Sequence, residues 1–179
     1  YRLVLELDAE HAPSLKALDD MLTVQARWEA LEPILKASAA IAEYDEERVA
    51  LLMRLAALYR DELQESESAI DALKQVLELN DMNRDALTGL EALYRDAEAW
   101  SSLFETEQRL AENSREDSER VHYLSDMAKL AEERLDDVDG AIELLEEVLM
   151  VDANRVAAIH ELQRLLESTE AWEALVEAF

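Results

Sequence analysis

The chain has 179 residues, no cysteine, two glycines and two prolines. It therefore lacks disulfide bonds, thiolate metal ligands and the turn residues that a sheet protein needs at each hairpin, which predicts an all-helical fold. Its 43 acidic and 17 basic residues give a formal charge of −26, which repels nucleic-acid phosphates and anionic membrane surfaces. No apolar run approaches the roughly 18 residues of a membrane span, so we expect no membrane insertion. The sequence does not fix the compartment, and a cytoplasmic location is the expectation.

An internal repeat of 72 residues is the clearest feature of the sequence. The three tryptophans, Trp28, Trp100 and Trp172, follow one another at this spacing. Apolar residues recur at the same spacing in three sets. These are Leu15 with Leu87 and Ile159; Leu18 with Leu90 and Leu162; and Val4 with Val76 and Val148. A fixed period in this range indicates a solenoid, in which small units bury their apolar faces against their neighbours.

The first copy, about 1–47, is partial and lacks its first helix. Pro13 suits the first turn of a helix. Pro33 removes a helical hydrogen bond, so we expect a kink or a late helix start there. Because the pattern begins and ends within a repeat, we expect the whole chain to be one segment, 1–179, of a longer solenoid protein.

The complete copy, about 48–119, contains four predicted helices. Apolar residues at helical spacing place the first over Arg48–Leu63 and the second from about Ala69, after a polar break at 64–66. An Asn- and Asp-rich break at 80–83 precedes helices at Arg84–Arg95 and Ala99–Ala111. Such short connections make neighbouring helices antiparallel, so each 72-residue period consists of two hairpins.

The third copy, about 120–179, is nearly complete and repeats this scheme. Helices are predicted at Ser118–Leu135, Asp139–Val151 and Asn154–Glu167, with a fourth from Glu170 onward. Asp139 is a candidate N-cap. The acidic residues around Gly140 match part of a calcium loop, but the first ligand position is Leu135, so no calcium site is predicted.

Half of the period is about 36 residues, and at this level the array resembles tetratricopeptide (TPR) repeats. The resemblance is carried by a two-helix pattern of small, aromatic and apolar residues, namely Leu52, Leu55, Ala56, Tyr59, Ala69, Leu73 and Val76. It departs from the family at Glu91, where a small residue is expected, and at Asp81 and Asp152, where proline is expected. Related half-a-TPR repeats stay open as a variant. The resemblance implies a right-handed superhelical solenoid of antiparallel hairpins.

TPR families bind peptides or partner helices along a concave face lined by the first helix of each hairpin. The matching register in this chain nominates Lys16, Asp20, Met53, Ala57, Arg60, Thr88, Ala92, Arg95, Ser125, Lys129, His160 and Arg164. Their basic members are either a stripe for an acidic partner or residues that complement the helix dipole near helix ends. The family's recurrent Asn and Lys carboxylate clamp is not reproduced.

Motifs of catalysis are not found in the sequence. The three histidines are far apart and lack the spacing of a zinc site, and phosphate-binding loops and nucleophile elbows are absent. We therefore predict no enzyme, metal or cofactor. The tryptophans are interpreted as wedges between hairpins rather than ligand cages. The expected function is a protein-interaction scaffold that binds a peptide or amphipathic helix, with an acidic segment as one option. The alternative is an architectural spacer that self-associates end to end.

Overall fold

A computed structural model describes Asp8 and residues 10–168 of the chain, and all regular secondary structure in these residues is helical. This confirms the all-α prediction. The helices are α1 (Ala12–Val24), α2 (Trp28–Ile41), α3 (Asp45–Ala57, continued by a π-helical segment, Leu58–Leu63), α4 (Ser66–Leu79), α5 (Arg84–Asp96), α6 (Trp100–Glu112), α7 (Asp117–Arg134), α8 (Val138–Val151) and α9 (Val156–Ser168).

The backbone follows the 72-residue period that the sequence predicts. The first residues of the helices recur at this spacing in four sets. These are Ala12 with Arg84 and Val156; Trp28 with Trp100; Asp45 with Asp117; and Ser66 with Val138. The predicted helices are therefore confirmed, and their boundaries shift by only a few residues. The predicted helix from Glu170 onward, with Trp172, lies outside the described residues.

In each of the four hairpins whose turn the structure describes, the turn uses a residue in the left-handed backbone conformation. Ala26 and Glu98 have φ angles of 50° and 53°, and Gln64 and Asp136 have φ angles of 57° and 56°. Each follows the first helix of a hairpin, and each pair is again separated by 72 residues. A left-handed residue at this place ends the helix and reverses the chain direction, although a side chain there adds strain that glycine would not.

The chain divides into two compact units, Tyr1–Leu93 and Tyr94–Phe179. In the first unit, helices α1 to α4 each pack against the next helix in sequence, around fully buried residues such as Leu15, Leu22 and Val76. In the second unit, helices α6 to α9 pack in the same way, around residues such as Leu110 and Val148. Because consecutive helices pack through short connections, each unit consists of antiparallel neighbours.

Two local predictions need correction, while a third is confirmed. Helix α8 begins at Val138, and its N-cap is Asp137, whose carboxylate accepts a hydrogen bond of 2.9 Å from the Gly140 amide. The N-cap prediction for Asp139 is therefore wrong, because this residue already lies in the first turn. Helix α2 begins at Trp28 and includes Pro33, so of the two alternatives for Pro33, a kink or a late helix start, the late start is wrong. Pro13 lies in the first turn of α1, as predicted.

Candidate functional site

A groove lies between helices α7 and α9 of the second unit, and α8 forms its base. These are the first helices of two successive hairpins. The cavity measures about 450 Å³ and is lined by Ser125, Ala128, Lys129, Glu132, Glu133, Leu145, Arg155, Ala157, Ala158, Glu161, Arg164 and Leu165. We call it the α7–α9 groove. Its position on the first helices of hairpins is the one that the TPR resemblance implies.

The floor of the α7–α9 groove is apolar, and its rim is charged. Ala128, Leu145, Ala158 and Leu165 are at most 5% exposed and belong to the core. Charged side chains of both helices surround this floor. Seven of the twelve lining residues are polar or charged, so the groove combines a small apolar floor with a largely charged rim.

Arg164 braces the two walls of the groove. Its Nη1 and Nη2 atoms donate to the two carboxylate oxygens of Glu132 at 2.8 and 2.6 Å, and its Nε donates to Glu161 at 2.9 Å. The hydrogen bond from Arg164 lowers the pKa of Glu132 below its usual value. Because one guanidinium serves two carboxylates, Arg164 connects α7 to α9 and is already engaged within the chain.

The remaining charges of the groove are held more loosely. The Lys129 ammonium is 3.7 Å from Asp126, and its side chain is 67% exposed. Arg155 and Glu133 are exposed, and within the part of the chain that the structure describes neither side chain forms an ion pair. Lys129, Arg155 and Glu133 are therefore the charges of the groove that a partner can reach most readily.

A second cavity of about 290 Å³ lies beside Trp100, and Lys129 and Glu133 line both it and the α7–α9 groove. The Arg134 guanidinium covers the Trp100 ring at 4.8 Å from the ring centroid. Trp100 begins α6 and Arg134 ends α7, so this contact joins two successive hairpins. The half-buried Trp100 thus lies where the sequence predicts a wedge between hairpins.

Arg95 also lines this second cavity, and it has a structural partner. Its Nη2 donates to Glu107 at 2.9 Å, and Glu107 is only 2% exposed. A buried carboxylate needs such a cation to offset its loss of hydration. Arg95 therefore stabilises the second unit, whatever it contributes to partner binding.

The structure brings some of the sequence-predicted site residues together and separates others. Lys129 and Arg164 line the α7–α9 groove, and Arg95 and Lys129 line the second cavity. His160 is exposed on α9 and is not among the residues that line the groove. In the first unit, Lys16 is exposed on α1 and Met53 is partly buried on α3.

Arg60, also in the first unit, bonds to its own neighbour Asp61. Its Nε and Nη2 donate to the Asp61 carboxylate at 2.7 and 2.9 Å, and this lowers the pKa of Asp61. Both side chains are about half exposed, so such a pair contributes little to stability. Arg60 stays accessible on the surface of α3.

Sequence reasoning missed the carboxylates that pair with these basic residues. Besides Glu132, it missed Asp19, which accepts two hydrogen bonds of 2.7 Å from Arg54 and thereby links α1 to α3. Both pairs join the first helices of successive hairpins. In each pair, the two opposite charges are separated in sequence by about the length of one hairpin, and this spacing is the signal that would have predicted the pairs. The described residues include no group of three or more side chains that could hold a metal ion, and none of their helices has the length and apolarity to cross a bilayer.

No family model matches the sequence, and no curated protein is significantly similar to it. Solved structures are similar in fold. A crystal structure of MamA protein is 16% identical, covers 96% of this chain and 89% of its own, and has a TM-score of 0.51. A MamA RS-1 double mutant is 12% identical, with 94% and 90% coverage and a TM-score of 0.53.

YrrB, described as a TPR protein with an unusual peptide-binding site, is 14% identical, covers 88% of this chain and 77% of its own, and has a TM-score of 0.51. At such low identity these likenesses concern the fold alone. They agree with the all-helical architecture described above. The chain therefore has the fold of the TPR-like helical-repeat family.

Proposed function

We propose that this chain is a non-catalytic protein-interaction scaffold whose α7–α9 groove binds an extended segment of a partner protein. The observation that carries the proposal is the groove itself, with about 450 Å³ of space above an apolar floor on the first helices of two hairpins. This volume lies within the usual range of ligand sites. YrrB, which shares the fold, is described as having a peptide-binding site.

The size of the groove favours an extended segment over a helix. An α-helix with its side chains is about 10–12 Å in diameter. One turn, about 5.4 Å long, therefore occupies roughly 420–610 Å³, so a groove of about 450 Å³ holds about one turn of a helix. An extended segment is thinner and inserts every second side chain toward the floor. The partner that fits is therefore a peptide-like stretch rather than an amphipathic helix.

The charges of the groove refine the hypothesis of an acidic partner. Arg164 and Arg95 are engaged by carboxylates of the chain itself. A partner carboxylate would instead meet Lys129 or Arg155, whose side chains are exposed. We infer that an acidic group of the partner binds at Arg155, that Lys129, which lies 3.7 Å from Asp126, contributes more weakly, and that Arg164 keeps the walls of the groove in place.

The test is selection of binding peptides from a random display library on the intact chain. Selected peptides should bind the unmodified chain and lose binding to Ala157→Trp, because Ala157 is an exposed residue of the groove wall and an indole there fills the space. Ala12→Trp is the matched control, since Ala12 is also an exposed residue in the first turn of a helix. Peptides that bind all three proteins equally, or a library that yields no binder, would overturn the proposed function.

A further inference from the structure

The two ends of the α7–α9 groove carry opposite free charges. Helices α7 and α9 each pack against α8 and connect to it through short loops, so they run in the same direction. The bond between Arg164 and Glu132 shows which residues lie at the same level. Arg155 therefore lies at one end of the groove and Glu133 at the other.

Charges in the middle of the groove have partners of opposite charge within the chain, although Lys129 stays largely exposed. Arg164 is shared by Glu132 and Glu161, and Lys129 lies near Asp126. Arg155 and Glu133, by contrast, are exposed and form no ion pair among the described residues. A bound segment would thus meet a free cation at one end and a free carboxylate at the other.

We propose that the groove selects an extended segment of bipolar charge, with a carboxylate at the Arg155 end, a cation at the Glu133 end and an apolar side chain between them. This inference rests on the proposed function and specifies its partner by charge order. Complementary charges at two points fix the orientation of a ligand and disfavour segments with the wrong charge at either end.

The geometry of the groove sets the spacing of the two charges. Leu165 of α9 lies at the same level as Glu133 of α7. It is ten residues from Arg155 in sequence, which corresponds to about 15 Å along a helix. An extended segment advances about 3.3 Å per residue, so charges four residues apart are about 13 Å apart. Side chains at positions i, i+2 and i+4 point to the same side. The middle one then meets the apolar floor of Ala128, Leu145 and Ala158.

The experiment compares capped twelve-residue peptides whose centres are Glu-Ser-Leu-Ser-Lys, Lys-Ser-Leu-Ser-Glu, Glu-Ser-Leu-Ser-Glu and Lys-Ser-Leu-Ser-Lys. Binding is measured by fluorescence anisotropy at 0.15 M salt. At least one of the two bipolar peptides should bind the unmodified chain more tightly than both peptides with like charges. Each matched end is expected to tighten binding about two- to five-fold, as an exposed ion pair does.

Charge reversal at each end gives the decisive comparison. Glu133→Lys should shift the preference toward the peptide with two glutamates, and Arg155→Glu toward the peptide with two lysines, by at least the same factor. Arg115→Glu and Glu143→Lys are controls, because both residues are exposed in the second unit outside the groove. The acidic field of the chain favours the dilysine peptide over the diglutamate peptide. This bias cancels when each groove variant is compared with its control, because Arg155→Glu and Arg115→Glu change the net charge equally, as do Glu133→Lys and Glu143→Lys.

Two results would overturn the proposal that the groove selects a bipolar segment. One is a ranking of the four peptides that is the same in the unmodified chain and in both groove variants. The other is that all four peptides bind weakly, while peptides from the library bind the unmodified chain and lose binding to Ala157→Trp. In that case the proposed function of the groove is retained and only the bipolar segment is rejected. If the library also yields no binder, both proposals fall.

Discussion

The second unit contains a carboxylate in its core, and the first unit shows what can replace it. Glu107 is 2% exposed and accepts a hydrogen bond of 2.9 Å from Arg95, whose side chain is 48% exposed. The residues 72 positions earlier are Leu35 and Thr23, and Leu35 is 1% exposed. The same helical position is therefore ionic in one copy and apolar in the other.

This comparison predicts opposite effects for a single and a double substitution. Breaking a buried ion pair usually costs about 3–5 kcal/mol. Since the Arg95 side chain is half exposed, we expect Arg95→Thr to cost about 2–3 kcal/mol. The double variant Arg95→Thr with Glu107→Leu removes the buried charge and adds an apolar side chain, which contributes about 1.5–3 kcal/mol. It should be at least as stable as the unmodified chain.

Urea unfolding followed by circular dichroism at 222 nm measures these differences, together with Glu107→Leu alone to complete the double-mutant cycle. Arg115→Thr, an exposed substitution of the same chemistry, is the control and should change the free energy of unfolding by less than about 0.5 kcal/mol. A cost for Arg95→Thr no larger than that of the control would refute the reasoning. So would a double variant less stable than Arg95→Thr alone.

Three further predictions concern local structure. Trp100→Ala should lower the free energy of unfolding by about 2 kcal/mol, less than the 3–5 kcal/mol of a fully buried tryptophan, because Trp100 is half-buried; urea unfolding measures it. Ala26→Gly should raise the thermal midpoint by relieving the left-handed backbone (about 0.5–1 kcal/mol), whereas Ala57→Gly in helix α3 should lower it. The hydrogen bond from Arg54 lowers the pKa of Asp19 in the folded chain. The ionised Asp19 therefore stabilises the fold fully above its unfolded pKa, near 3.9, and this stabilisation is lost as the pH falls through the folded pKa. Asp19→Asn should lower the melting temperature at pH 7 but much less below pH 3.

The helices of this chain could be predicted from sequence because the repeat supplies the same information more than once. Apolar residues such as Leu15 and Leu87 occupy equal positions in successive copies, and both are at most 2% exposed. Core positions of this kind define the face and the approximate length of each helix. The N-cap of α8 was harder to predict from sequence, because Asp137 and Asp139 are both suitable N-cap residues and only the backbone geometry distinguishes them.

The site could be predicted only in part, for a different reason. Register alone placed Lys129 and Arg164 on the groove, and both line it. It did not show that Arg164 is engaged by Glu132, since such a bond depends on the distance between two helices and on side-chain conformations. Arg155 lies within the predicted helix Asn154–Glu167, but it was missed because it is outside the TPR register from which the candidate residues were taken; the structure places it just before α9.

The difference between the copies leads to a last prediction, on the number of binding sites. The positions that match Arg155 and Glu133 in the preceding copy are Asn83 and Asp61, and Asp61 is bonded to Arg60. The helices repeat there, with Asp61 in the π-helical segment of α3 and Glu133 in regular α-helix, but the free cation does not. A bipolar segment should therefore bind one chain at one site, and isothermal titration calorimetry with the better bipolar peptide should give a stoichiometry near one. Two sites of similar affinity would mean that the shared backbone, rather than the charges at the ends of the groove, determines which segment binds.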